Sequence, residues 1–206
     1  MKTKHENQLK RYARYTKYFL QWLFLERMRG LDFSMRDKTL IRKSKGVLHG
    51  YSKTDETHAN AIFSALHVDT SKRLLDVGCG KGAFLREASK QSFGKVSGLE
   101  YVPSLVEIAR KNFRRLHLDN KIDLFCGDAA EFEGYANFNV FYFFNPFEAP
   151  IMDKVIAKIV ATKKEKIWII LHNPVCDDVV KKYGGREKSR LFDKVKSYET
   201  VIYEME

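Results

Sequence analysis

An acid and three glycines stand close together in Leu74-Leu75-Asp76-Val77-Gly78-Cys79-Gly80-Lys81-Gly82, and their order describes a binding turn. The apolar run before Asp76 reads as a strand, and the run from Ala83 as a helix. Glycines at alternate positions let the chain pass against a ligand with no Cβ in the way, while the first helical N–H groups face the same place. Asp76 selects the charge of that ligand. Its carboxylate repels a diphosphate and attracts an ammonium, which favours an amino-acid-like ligand such as S-adenosylmethionine. Gly78-x-Gly80-x-x-Ala83 with Glu100 downstream also meets the loose dinucleotide fingerprint, so nicotinamide or flavin binding and an ordinary strand-to-helix turn stand as alternatives. A P-loop fails, because Gly82 follows Lys81 where Ser or Thr must hold magnesium.

The elements that must position this turn alternate along the chain. Strands are expected near 73–78, 95–100, 122–127, 139–145, 166–172, 190–197 and 200–205, with helices near 55–66, 83–92, 103–115, 150–162 and 175–183. Val140-Phe141-Tyr142-Phe143-Phe144 and Ile167-Trp168-Ile169-Ile170-Leu171 are apolar throughout, as suits central parallel strands covered on both faces. The last two strands are so close in sequence that they form an antiparallel hairpin. Asp55 is placed to cap the helix whose buried stripe is Ala59, Ile62, Phe63 and Leu66.

With 206 residues and 44% apolar content, the chain suits one α/β domain with an N-terminal extension. Its three cysteines, Cys79, Cys126 and Cys176, have no metal or redox spacing, and a reduced, cytoplasmic setting is expected. The run Tyr18 to Leu25 is too short to span a bilayer, so no transmembrane segment is expected. Of the net charge of +11, +10 falls in residues 1–53, which hold fourteen Lys/Arg against four Asp/Glu. Such a segment can attract an anionic partner, whether nucleic acid, glycan or a membrane surface touched peripherally. Residues 6–29 read as an amphipathic helix with Tyr15, Phe19, Trp22 and Leu23 on one side, Leu25 and Met28 adjoining, and Gly30 as its stop. That stripe suits docking on the domain, with a membrane interface as the alternative.

The chain resembles the class I S-adenosylmethionine-dependent methyltransferases over residues 50–206. Leu75 to Gly82 resembles their first motif, and Ser97-Gly98-Leu99-Glu100 their second. Cys126-Gly127-Asp128-Ala129 resembles the third-strand segment, and Asn145-Pro146-Phe147 the Asn/Asp-Pro-Pro-aromatic segment of amino-directed members, short by one proline. Gly50-Tyr51-Ser52-Lys53-Thr54 is similar to the segment before the cofactor motif in non-SET, nucleosome-directed lysine methyltransferases. The whole arrangement also looks like uncharacterised bacterial members.

The resemblance implies a doubly wound seven-stranded, mostly parallel sheet of order 3-2-1-4-5-7-6 with strand 7 antiparallel. It divides the chain into a basic N-terminal helix and connector (1–50) and a methyltransferase domain (51–206). It implies S-adenosylmethionine as cofactor, with Tyr51, Thr54 and Asp76 at its amino-acid end, Gly78, Cys79 and Gly80 in the turn against it, Glu100 at the ribose hydroxyls, and Tyr101 and Asn145 also among the cofactor-binding residues. Asp128 and Ala129 fall at the adenine, and Asn145, Pro146 and Phe147 beside the transferred methyl group. Methyl transfer by in-line displacement to an unidentified protein, RNA or small-molecule acceptor is implied as well, with no metal. Glu148 and His172 are candidate bases, while His5, His49, His58, His67 and His117 show no ligand spacing. A noncatalytic module of the same fold, binding nucleic acid or an anionic surface through its basic N-terminus, is the alternative.

Overall fold

The structure is a computed structural model that describes residues 16, 20, 22–34, 53–195 and 197–206, with only the backbone of Trp22 and Leu25. Its centre is one sheet of β1 (Arg73–Val77), β2 (Lys95–Glu100), β3 (Ile122–Cys126), β4 (Val140–Phe144), β5 (Ile167–His172), β6 (Arg186–Asp193) and β7 (Tyr198–Met205). The order is β3-β2-β1-β4-β5-β7-β6, as expected. β1 to β5 run parallel to one another, and β7 runs antiparallel to both β5 and β6. Strand order reverses between β1 and β4, which puts a crevice at the carboxyl ends of β1, β2 and β4.

The helices are α1 (Glu56–Leu66), α2 (Ala83–Ala88), α3 (Pro103–Arg115), α4 (Ala149–Thr162) and α5 (Asp177–Lys182). Alternation along each strand sorts side chains to two faces. Leu74, Val140 and Tyr142 pack beneath α1, α2 and α3, while Leu75, Phe141 and Phe143 pack against α4. Each fully buried apolar side chain contributes about 1.5–3 kcal/mol to this double core. The Asp55 side chain accepts the Thr57 N–H at 2.9 Å and caps α1, whose buried face is Ala59, Ile62, Phe63 and Leu66 together with His58. Pro103 opens α3 at a position where its missing N–H is harmless.

Two elements differ from the sequence reading. β6 begins at Arg186, four residues before the expected 190, because its first half carries Arg186, Glu187 and Lys188 on an edge strand. Charge there protects an open edge from pairing, and it hides the strand from a search for apolar alternation. α2 ends at Ala88, short of the expected 92.

Most of the expected helix 6–29 lies outside the described residues, and its last part is a wide π turn (Trp22–Glu26) followed by a 3-10 turn (Arg27–Arg29). Gly30 ends it in the left-handed conformation at φ 67°. Phe24 and Met28 are exposed, and Leu31 and Phe33 enter the core under α1 and α2; Tyr15 and Phe19 of the expected docking stripe lie outside the described residues. The buried Glu26 carboxylate accepts the Phe33 and Ser34 N–H groups at 2.9 Å each. Asp32 and Asn112 exchange backbone-to-side-chain hydrogen bonds, both 2.9 Å, and the Asp32 carboxylate takes the buried Lys81 ammonium at 2.8 Å on both oxygens. Lys81 belongs to the glycine turn, so this pair joins the N-terminal segment to it. Replacing Asp32 by alanine is expected to lower stability by about 2 kcal/mol, between the limits for exposed and buried pairs, read as the urea midpoint.

Among the described residues no helix is long and apolar enough to cross a membrane.

Candidate cofactor and acceptor site

The turn after β1 is built on positive φ. Gly78, Gly80 and Gly82 have φ of 85°, 54° and 81°, values that an L side chain resists. The Gly78 and Cys79 N–H groups donate to Leu99 O at 2.8 and 3.1 Å, which pins the turn to the end of β2. A Cβ on Gly98 would lie 2.7 Å from Cys79 Sγ, so the turn sits flat on β2 only because residue 98 is glycine.

Two buried carboxylates face this turn. Asp76 is 2% exposed and its carboxyl is held well above the usual range, first by burial and then by the charge of Glu100. Glu100 is raised by burial too, against the lowering pull of backbone N–H groups. Its two oxygens accept from Gly80 N at 2.9 Å and Val102 N at 2.8 Å. Burial, reinforced by Asp76 and Glu100, also keeps the Cys79 thiol protonated far above its ordinary value. The mouth of β1 and β2 is therefore an acidic recess that a cation would relieve.

Around it lie most of the residues singled out by the sequence. Thr54 is buried, with its hydroxyl 2.7 Å from that of Tyr142. Tyr142 pairs in register with Asp76 and stacks on Phe84 at 3.7 Å, and only the fold reveals its place here. Tyr101 is exposed just beyond Glu100. Gly127 N donates to Glu100 O at 3.0 Å, which holds the end of β3 beside β2. There Asp128 is exposed and folds back on the Ala130 N–H, and Ala129 is buried with its carbonyl taken by the Tyr135 hydroxyl. Tyr51 lies outside the described residues.

Asn145 follows β4 with φ 41°, a left-handed conformation that Asn tolerates better than most residues. The next residue rests on the glycine turn: a Cβ on Gly78 would meet Pro146 Cβ at 2.8 Å. Phe147 is buried, and its carbonyl accepts from Cys176 Sγ at 3.8 Å. Glu148 is exposed at the start of α4. His172 ends β5 fully buried, beneath the Phe144 ring at 4.1 Å.

A sheet of this order with an acid at the end of β1, a glycine turn and an acid at the end of β2 is the fold of the class I S-adenosylmethionine-dependent methyltransferases, and S-adenosylmethionine is the cofactor of that class. Residues 74–165 match the family described as a methyltransferase domain. It is similar to the ribosomal protein L11 methyltransferase of Thermotoga maritima, 30% identical over 84 residues, 41% of this chain and 32% of that protein. A rice (Oryza sativa subsp. japonica) protein, 24-methylenesterol C-methyltransferase 2, is 32% identical over 83 residues, 39% of this chain and 23% of its own length. The chain thus spans about a third or less of these curated relatives. In fold it is similar to an RNA methyltransferase from Salinibacter ruber solved with S-adenosyl-L-homocysteine, with TM-score 0.58 and 16% identity over 74% of this chain and 93% of that one. The likeness of Gly50 to Thr54 to the nucleosome-directed enzymes rests on sequence alone.

Proposed function

We propose that the chain binds S-adenosylmethionine in the recess between β1, β2 and β4 and directs its methyl group to a nucleophile, an amino group above all, of an acceptor held at Asn145-Pro146-Phe147. The observation that carries the reading is the pair of buried acids, Asp76 and Glu100, under a turn of three positive-φ glycines. This cradle fits a ligand with an ammonium at one end and a vicinal diol in the middle: Asp76 takes the ammonium, and Glu100 has lone pairs left for hydroxyl donors. Thr54 and Cys79 close the amino-acid end, Tyr101 flanks the ribose, and Asp128 with Ala129 meets the adenine. The donor is activated by its own sulfonium charge. The protein's task is to orient the acceptor and exclude water. Asn145 supports the amino-directed reading because its side chain amide oxygen can accept from a substrate N–H and aim the lone pair. Residues 1–53, with fourteen basic groups against four acidic ones, are proposed to recruit an acceptor or surface carrying negative charge.

The test is labelling of a host extract, depleted of small molecules, with the tritiated methyl donor and the purified chain, and then separation of protein, RNA and lipid-glycan pools. Label is expected in one pool. Asn145→Ala is expected to cut it about 100-fold through loss of orientation, while S-adenosylhomocysteine still binds. No label in any pool with intact binding would favour the noncatalytic alternative, and undiminished labelling by the variant would remove Asn145 from the reaction.

A further inference from the structure

A second group of polar side chains lies on the α1 side of the sheet and takes no part in the cofactor cradle. His172 is the last residue of β5, Asp193 the last of β6, and His58 sits in the first turn of α1. Thr200 of β7 faces His172 in register. All four are buried, with His172 and Thr200 at 0%, Asp193 at 1% and His58 at 6% exposure. One donor atom from each of His58, His172 and Asp193 falls within 4.8 Å of the others.

We propose that His58, His172 and Asp193 form a binding site for a divalent cation of the zinc class. The donor set, two imidazoles and one carboxylate, is the one that such borderline ions take. The spacing supports the same conclusion. His172 Nε2 and Asp193 Oδ2 are 3.5 Å apart. A charged N–H···O bond is about 2.7–2.9 Å long, so this gap is too wide for one. Two ligands about 2.1 Å from a tetrahedral ion are separated by roughly 3.4 Å, which matches it.

The surrounding bonds prepare the ligands. Thr200 Oγ lies 2.6 Å from His172 Nδ1 and 2.7 Å from His58 Nε2. With Nδ1–H donating to Thr200, His172 turns its Nε2 lone pair toward Asp193, the tautomer a metal requires. The Thr200 hydroxyl then donates to His58 Nε2, and this is the bond the cation exchanges for its own. Asp193 is held in place by its other oxygen, which accepts the Val195 N–H at 2.8 Å. The ion would tie α1, β5 and the β6–β7 hairpin together directly beneath Phe144, the residue before Asn145, and so brace the wall of the acceptor side. Residues 58, 172 and 193 are far apart in the chain, which is why no ligand spacing is visible in the sequence.

The experiment uses the full chain without a histidine tag, freed of metal with chelator and then titrated with zinc or cobalt chloride. One ion per chain is expected, with a rise in melting temperature and visible absorption of bound cobalt. Asp193→Asn and His58→Gln are expected to weaken uptake by about 100-fold or more, and Thr200→Val by about 10-fold to 100-fold. Retained S-adenosylhomocysteine binding shows that the variants fold. In the unaltered protein, the ¹⁵N resonances of His58 and His172 are expected to move on zinc addition, a readout that needs no variant. No stoichiometric uptake, unchanged affinity in Asp193→Asn and His58→Gln, or histidine resonances indifferent to zinc would each overturn the site.

Discussion

Asp76→Asn is expected to weaken S-adenosylhomocysteine binding about 100-fold while leaving the ligand-free protein at least as stable at pH 7. The two effects have one cause. Burial and the neighbouring Glu100 charge raise the Asp76 carboxyl well above its ordinary range. A carboxyl whose pKa is higher folded than unfolded stabilises the fold most below the unfolded value, about 4, and that contribution is lost as pH rises through the folded value. Ionised Asp76 is thus a liability in the empty protein, and asparagine removes it without changing shape. An ammonium in the recess reverses the balance, since a hydrogen bond to a charged partner contributes about 1.5–3 kcal/mol, or roughly 100-fold in affinity. Binding to the unaltered protein is therefore expected to strengthen as pH rises from about 4 through the raised value, with proton release on binding. Calorimetry in two buffers of different ionisation heat reads both quantities, and thermal unfolding reads the stability. Equal affinity in the variant, or a flat pH profile in the unaltered protein, would sink the assignment of Asp76 to the ammonium.

What can be read from the chain is whatever is written locally. Asp76, Glu100 and the three glycines lie at the ends of short apolar strands, and each strand announces itself by its own neighbours. The sheet order comes from those strands together with the family resemblance. β6 escapes at its start because an edge strand with Arg186-Glu187-Lys188 looks like a loop when only apolar alternation is sought. Pairings across the chain are also hidden. Tyr142 reads as one more apolar strand residue, yet its hydroxyl meets Thr54 beside the acidic recess. Lys81 looks like a failed P-loop lysine, and the fold shows it bridged to Asp32 of the N-terminal segment. His172 stands out in the sequence as a candidate base by its strand-end position, and its company of His58, Asp193 and Thr200 emerges only when β5, β6, β7 and α1 are assembled.

Gly82→Ala is expected to destabilise the protein by about 2–5 kcal/mol, whereas Gly184→Ala, at nearly the same backbone angle, is expected to lose only about 1–2 kcal/mol. The pair separates strain from collision. Gly82 has φ 81° and Gly184 φ 87°, so an added Cβ meets the same left-handed penalty at both. A Cβ added at Gly184 would meet no non-neighbouring atom within 4 Å, but at Gly82 the new Cβ would fall 2.3 Å from Cζ of Phe113. That ring, on the buried face of α3, is 1% exposed and packed in the core, so moving it disturbs its neighbours. Gly82 is also the residue from which α2 starts, so relief by backbone movement would tilt α2 and carry the turn of Gly78 and Gly80 with it. The Gly82 variant is accordingly expected to lose S-adenosylhomocysteine affinity along with stability, and the Gly184 variant to keep its affinity. Urea unfolding gives the stabilities and calorimetry the affinities. Equal losses at the two positions would mean that the Phe113 ring does not set the conformation of the cofactor turn.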